Sequence, residues 1–201
     1  SIGVKTDVVK RVPMEKTIRT VGTVKEDERR VSDVNAKIGG WIEHLYVDYT
    51  GKFVGKGQPL LDIYSPELVA TQEEYLLAME SRERLKGSPF PEIAKGGVSL
   101  LESTRKRLEL WDIPAAEIER LEREKKPRKT LTLYSPVSGY VLEKMAFPQM
   151  KIEPGMKLYT IADLSSVWVE ADIYEYEVPF VKVGTPATLT LASLPGQQYS
   201  G

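Results

Sequence analysis

Cysteine is missing altogether from the 201 residues, and histidine occurs once, at His44. The first absence excludes disulfides, thiolate nucleophiles and cysteine-ligated zinc. The second leaves no material for a histidine-rich metal centre, and no Ser/His/Asp arrangement or glycine-rich phosphate loop accompanies the lone imidazole. An enzyme is therefore not expected. Charge of one sign is also lacking. The 28 Lys and Arg stand against 29 Asp and Glu, a net charge of −1, with no basic stripe interleaved with aromatics, so nucleic acid is not expected as a partner. No run of about 18 apolar residues occurs, so no segment reads as a membrane-spanning helix. What remains is 41% hydrophobic and 28% charged. That is the balance of an ordinary globular chain, long enough for one medium domain or two or three small modules.

Within that chain one pattern is written twice. Residues 39–63 read GGWIEHLYVDYTGKFVGKGQPLLDI, and residues 138–161 read SGYVLEKMAFPQMKIEPGMKLYTI. Ile38, Gly40, Trp41 and Ile42 correspond to Val137, Gly139, Tyr140 and Val141. After a one-residue slip in the middle turn, Val54, Gly57, Leu60 and Ile63 correspond to Ile152, Gly155, Leu158 and Ile161. Each copy reads strand, turn, short strand, glycine turn, strand. Alternation predicts that Trp41, Leu45, Val47, Leu60 and Ile63 cover one sheet face. Neither copy is long enough to bury both faces of its own sheet, so residues 31–65 and 130–163 are expected to pack face to face as one small β-sandwich.

The stretch between the copies changes period. Ser65 as a cap, Pro66 in the first turn and Glu67 at the positive end predict a helix starting at 66. Its stripe is Leu68, Tyr75, Leu76 and Met79, and it is expected to end near Gly87, roughly 30 Å on. The prolines and glycines of GSPFPEIAKGG (87–97) predict a break. A second helix is expected from Val98 to Trp111 with Leu101, Leu108 and Trp111 inward. A third begins at Pro114 and buries Ile118 and Leu121. Such narrow apolar stripes can be covered only by one another, which predicts a compact three-helix bundle over 66–129 rather than one long two-helix hairpin. Outside the sandwich, residues 15–24, 167–174, 183–191 and 196–201 read as strands.

The paired half-motifs resemble those of the biotinyl/lipoyl carrier fold. In carriers a tight hairpin with an acylated lysine joins the halves. Here YSPELVATQEEYLLAMESRERLKG begins a helical insert instead, and in this the chain is similar to the periplasmic adaptors (membrane fusion proteins) of bacterial tripartite efflux pumps. RKRLELWDIPAAEIERLE (105–122) and ADLSSVWVEADIYEYEVPFVKVGTPATLTLASLPG (162–196) narrow the resemblance to adaptors of copper/silver-type resistance-nodulation-division (RND) pumps. The resemblance implies a mostly β protein with a helical insert: a split lipoyl-like sandwich interrupted by a three-helix bundle. Residues 14–30 and 164–201 would form an incomplete β-barrel, and residues 1–13 a membrane-proximal lead-in strand. A longer adaptor is expected to contain this stretch.

The same resemblance implies a non-enzymatic coupler with no resident cofactor beyond a transient heavy-metal cation. Its implied partners are an inner-membrane RND-type transporter, an outer-membrane channel and further copies in a ring. The implied place is the periplasm of a Gram-negative bacterium, with any anchor in a segment outside this chain. The alternatives are a biotinyl/lipoyl carrier domain, opposed by the missing hairpin lysine, and an adaptor for drug efflux or type I secretion, which usually has longer helices. Arg84 and Leu85 are adjacent and do not meet the drug-pump spacing for channel docking, so no docking residue is assigned.

Four residues are candidate metal ligands. Met145, Met150 and Met156 fall within one half-motif, and thioether sulfur suits Cu(I) and Ag(I); Met also fills gaps in small cores. His44 is the fourth, in mid-strand beside Glu43, where an outward polar residue is also expected. Met14 alone does not reproduce the methionine-rich stretch that copper adaptors carry near their N-terminus. The acidic pairs Glu73/Glu74 and Glu175/Glu177 read as solvated faces.

Overall fold

The repeated half-motifs cannot each close a sheet, and the structure shows how they complete each other. A computed structural model of the chain describes residues 3, 5–12, 15–85 and 91–201, with the backbone alone at 91–95. Residues 26–167 form one compact unit, and residues 1–25 with 168–201 form a second.

In the first unit the strands are β2 (Val31–Asn35), β3 (Gly40–Leu45), β4 (Phe53–Val54), β5 (Pro59–Tyr64), β6 (Thr130–Tyr134), β7 (Gly139–Lys144), β8 (Lys151–Ile152) and β9 (Lys157–Ala162), after β1 (Gly22–Glu26). They make two four-stranded sheets with the orders β2-β9-β7-β4 and β6-β5-β3-β8. Exchanging each strand of the first copy with its equivalent in the second turns one order into the other. The short strands are lent across the repeat: β4 pairs with β7, and β8 pairs with β3. Each half therefore supplies an edge to the other, which is the pseudo-twofold sandwich expected from the repeat.

Between the sheets lies a core of Val34, Ile38, Ile42, Val54, Leu60, Leu61, Ile63, Val141, Ile152, Leu158 and Ile161, all nearly inaccessible to solvent. Tyr159 is buried with them, and its hydroxyl donates to the Val47 carbonyl at 2.7 Å. Burial holds that phenol well above its usual pKa.

Two equivalent glycines set how closely the strands approach. A Cβ at Gly40 would lie 2.1 Å from the Tyr64 carbonyl oxygen, and one at Gly139 would lie 2.3 Å from the Ala162 carbonyl oxygen. No real Cβ tolerates such a contact with backbone. Glycine is needed at both positions for space.

Trp41 does not enter the core as alternation predicted. It stands 41% exposed on the outer face, stacked on Tyr64 with ring centroids 6.1 Å apart. Ile38, Gly40 and Ile42 are the inward set, and the register then shifts between Ile42 and His44. That bulge changes the phase, so Leu45 and Val47 return inward with opposite parity. Tyr140, the counterpart of Trp41, also faces outward and meets Phe53 edge-on at 5.3 Å.

Three helices leave the sandwich: α1 (Pro66–Leu85), α2 (Pro91–Leu110) and α3 (Ala115–Glu124). α1 and α2 run antiparallel, since Gly97 faces Arg82 and Leu85 while Arg107 pairs with Glu74 at 2.9 Å. The ten-residue α3 closes their base with Ile118 and Leu121 buried. The expected break over 87–97 is corrected: residues 91–97 are helical, Pro91 occupies the first turn where its missing N–H costs nothing, and Gly97 is buried against α1. Residues 86–90 lie outside those described.

In the second unit β1 pairs with β10 (Val167–Ala171), and β11 (Thr188–Thr190) pairs antiparallel with β12 (Gln198–Ser200). The strand expected over 15–24 begins only at Gly22, and the described residues of 1–13 form no strand. Extended backbone becomes a strand only with a neighbour to bond, and among the described residues none pairs with these segments.

The close approaches yield the first prediction. Gly40→Ala and Gly139→Ala should each destabilise the sandwich by about 2 kcal/mol or more in urea denaturation, because the new methyl meets backbone that cannot move aside. Gly55→Ala, whose Cβ would meet only the Gln58 side-chain oxygen at an ordinary 4.0 Å, should change little.

Candidate functional site

Where a carrier would bear its lysine hairpin, this chain builds a joint between sandwich and helices. On the outgoing side β5 runs into α1 with no linker. Ser65 is buried, and its hydroxyl accepts the Leu68 N–H at 3.2 Å, capping the helix directly on the strand end. On the return side Lys125 ends α3 in a left-handed conformation, and residues 125–129 lead back to β6.

Polar groups hold the two sides together. Gln72 is buried in the second turn of α1. Its side-chain amide donates to the Arg128 carbonyl at 2.9 Å and accepts the Arg128 N–H at 3.0 Å. One turn further along, buried Tyr75 donates its hydroxyl to Glu122 of α3, and Arg105 of α2 reaches the same carboxylate at 3.1 Å. All three helices thus meet at Glu122. Burial, reinforced by Glu122, pushes the Tyr75 phenol up to about 12. Arg120, also buried, is neutralised by Glu117 at 2.9 Å and Glu124 at 2.8 Å, and Glu117 in turn binds Arg128 at 3.1 Å. A cavity of about 80 Å³ lies beside this network, lined among others by Leu68, Leu108, Ile118 and Leu131.

At the opposite end of the sandwich the two chain segments that lead out are tied together. Arg30 bonds Asp163 and the Ser165 hydroxyl, both at 2.8 Å. Buried Asp27 accepts the Arg29 guanidinium at 2.9 Å, which holds its carboxyl below the usual range. Asp163 is held low chiefly by the Ser165 backbone N–H. Both aspartates stabilise the fold above the ordinary aspartate pKa of about 4, a contribution lost as pH falls through their depressed values.

The candidate metal ligands are placed differently. Met145 and Met156 are exposed, whereas Met150 packs on the core as a gap filler does. Their backbones have separate partners: Met145 N–H donates to Leu158, while Met150 and Met156 accept from Ile42 and Ala36. His44 is exposed on β3 with its ring edge-on to Tyr46 at 4.6 Å. Met14 lies outside the described residues. Gln72, Glu122 and Arg105 were not singled out from the sequence. Gln72 alone left a signal there, as a polar residue four positions after Leu68 inside an otherwise apolar stripe.

A lipoyl-like sandwich whose carrier hairpin is replaced by helices is the architecture of the membrane fusion adaptors. Two family models match: "CusB, barrel-sandwich hybrid domain" over residues 31–162 and "CusB-like, beta-barrel domain" over residues 166–201. The chain belongs to the CusB-type family of heavy-metal RND periplasmic adaptor proteins. It is 31% identical over 97% of its length to the cation efflux system protein CusB of Escherichia coli K12, and 25% identical over 99% to the membrane fusion protein SilB of Salmonella typhimurium. It spans 45% and 43% of those relatives, under half of each. Among solved structures, ZneB of Cupriavidus metallidurans shares the fold at 21% identity and a TM-score of 0.56, covering 89% of this chain and 80% of that one. A MacA–MexA chimera carrying the Pseudomonas aeruginosa MexA α-hairpin matches at 21% identity and a TM-score of 0.62, covering 94% and 67%.

The Tyr75 network predicts an alkaline transition. Its neutral phenol is favoured in the folded state, so the contribution is complete below the ordinary tyrosine pKa of about 10 and is lost as pH rises through about 12. Tyr75→Phe should cost about 1 kcal/mol at neutral pH and flatten that loss. Helical ellipticity in melts at pH 8, 10 and 12 is the measurement.

Proposed function

We propose that this chain is part of a periplasmic adaptor coupling a proton-driven inner-membrane RND transporter to an outer-membrane channel. The cargo is Cu(I), Ag(I) or another heavy-metal cation. The carrying observation is the joint itself. The position of a carrier lysine is occupied by a helical pair fixed to the sandwich by buried polar bonds, which suits a protein that transmits position between partners. The likeness to CusB and SilB supports a metal system over a drug or secretion system. The adaptor works as copies in a ring in the periplasm of a Gram-negative bacterium, with the helices engaging the channel and the second unit engaging the transporter.

A coupler depends on surfaces and rigidity, not on a single ionisable residue. Restoring metal resistance to a strain deleted for the full-length gene tests the reading; no restoration, with transporter and channel present, would contradict it. In the same assay the triple variant Met145→Leu, Met150→Leu, Met156→Leu should leave resistance near normal, because Leu keeps the volume and removes the sulfur. Leu108→Asp, which buries an unpaired charge at a cost of about 3 kcal/mol or more, should abolish it by undoing the helices. Loss of resistance in the triple variant at unchanged thermal stability would make those sulfurs part of the metal path.

A further inference from the structure

The last rung of the β5–β6 ladder is Tyr64 against Thr130. Beyond it β5 has become helix, so residues 128 and 129 have lost their strand partner. Gln72, six residues into the helix, supplies the next rung. Its side-chain amide makes the paired N–H and C=O bonds to Arg128 that a strand residue would have made. A third bond, from the same amide nitrogen to the Leu68 carbonyl at 3.2 Å, fixes the rotamer. The amide is buried, so it needs these partners. We propose that Gln72 is the positioning residue of an elbow: its bonds to Arg128 latch the helical pair at one angle to the sandwich, and their release lets the pair swing.

Three observations carry this. The outgoing connection through Ser65 has no slack, so it can act only as a pivot. The return connection has slack, because residues 125–129 belong to neither helix nor strand. Beside the latch lies the cavity of about 80 Å³ between helix residues Leu68, Leu108 and Ile118 and strand residues Thr130, Leu131 and Thr132. Close-packed interiors resist motion, and a void at the joint leaves room for side chains to repack as the angle changes. The Tyr75–Glu122–Arg105 network, by contrast, joins helix to helix and would travel with the arm as one body. The use of the elbow in transport rests on the adaptor reading; the latch itself does not.

The chain has no cysteine, so two introduced thiols can be spin-labelled without background. Labels at Thr50→Cys on a sandwich turn and Ser99→Cys on α2 report the angle as a distance distribution by pulsed electron resonance. The otherwise unchanged protein should give one narrow distribution. Gln72→Leu, which removes the latch and leaves the backbone N–H and carbonyl of exposed Arg128 to water, should broaden it severalfold or split it, with the sandwich still melting cooperatively. Gln72→Glu provides a second arm. As a carboxylate it accepts from the Arg128 N–H but donates to neither carbonyl, so the distribution should be broad at pH 8. It should narrow on acidification to pH 4, when protonation restores a donor. If Gln72→Leu fails to fold, Gln72→Glu decides alone. A distribution matching the unchanged one in folded Gln72→Leu, or in Gln72→Glu at both pH values, would overturn the latch. Either result is obtained on the isolated chain and leaves the metal-resistance test of the adaptor reading untouched.

Discussion

Everything in the larger unit depends on each half-motif lending its short strand to the other. Phe53–Val54 completes the sheet of the second copy, and Lys151–Ile152 completes that of the first. A half folded alone would expose both an apolar face and an open edge. Because the lent strands are only two residues long, their hold comes from burial of Val54 and Ile152 and from their pairing with Gly139 and Gly40. Two strand ends, Tyr64 and Thr130, are thereby brought opposite each other. A tight turn could join them, and so can a helical domain.

The interruption changes what the fold is for. A hairpin at that point presents a single side chain to chemistry. Helices at the same point present a lever, whose usefulness depends on how firmly its base is held. The base here is held by a polar group removed from solvent, the Gln72 amide, while the Tyr75 phenol ties helix to helix. Polar bonds are directional in a way that apolar contacts are not, so they define an angle as well as an affinity.

The repeat, the sandwich and the helical insert were legible because they are written in spacing, and glycines at 40 and 139 stand at matching places in both copies. The side-chain parity of β3 was not legible, since a one-residue bulge after Ile42 reverses it and puts Trp41 outside. The start of α2 was misread because Gly96 and Gly97 look like breakers in isolation, while in the fold Gly97 lies buried against Arg82 and Leu85 of α1. The joint was the least visible part. Gln72, Glu122 and Arg128 are far apart in the chain, and nothing in local spacing says that an amide in a helix will finish a β-ladder. Of the candidate ligands, the exposure of Met145 and Met156 and the packing of Met150 on the core appear only in three dimensions.

The central claim is that the sandwich is a complete folding unit assembled from two lent halves, with the helices as a passenger at one corner. Replacing residues 65–129 by a two-residue turn, which the opposition of Tyr64 and Thr130 permits, tests this most directly. Circular dichroism of the shortened protein should show β structure without the helical minimum, and heating should give one cooperative transition. A random-coil spectrum, or a gradual melt with no transition, would mean that the halves need the helices to find each other and would contradict the account.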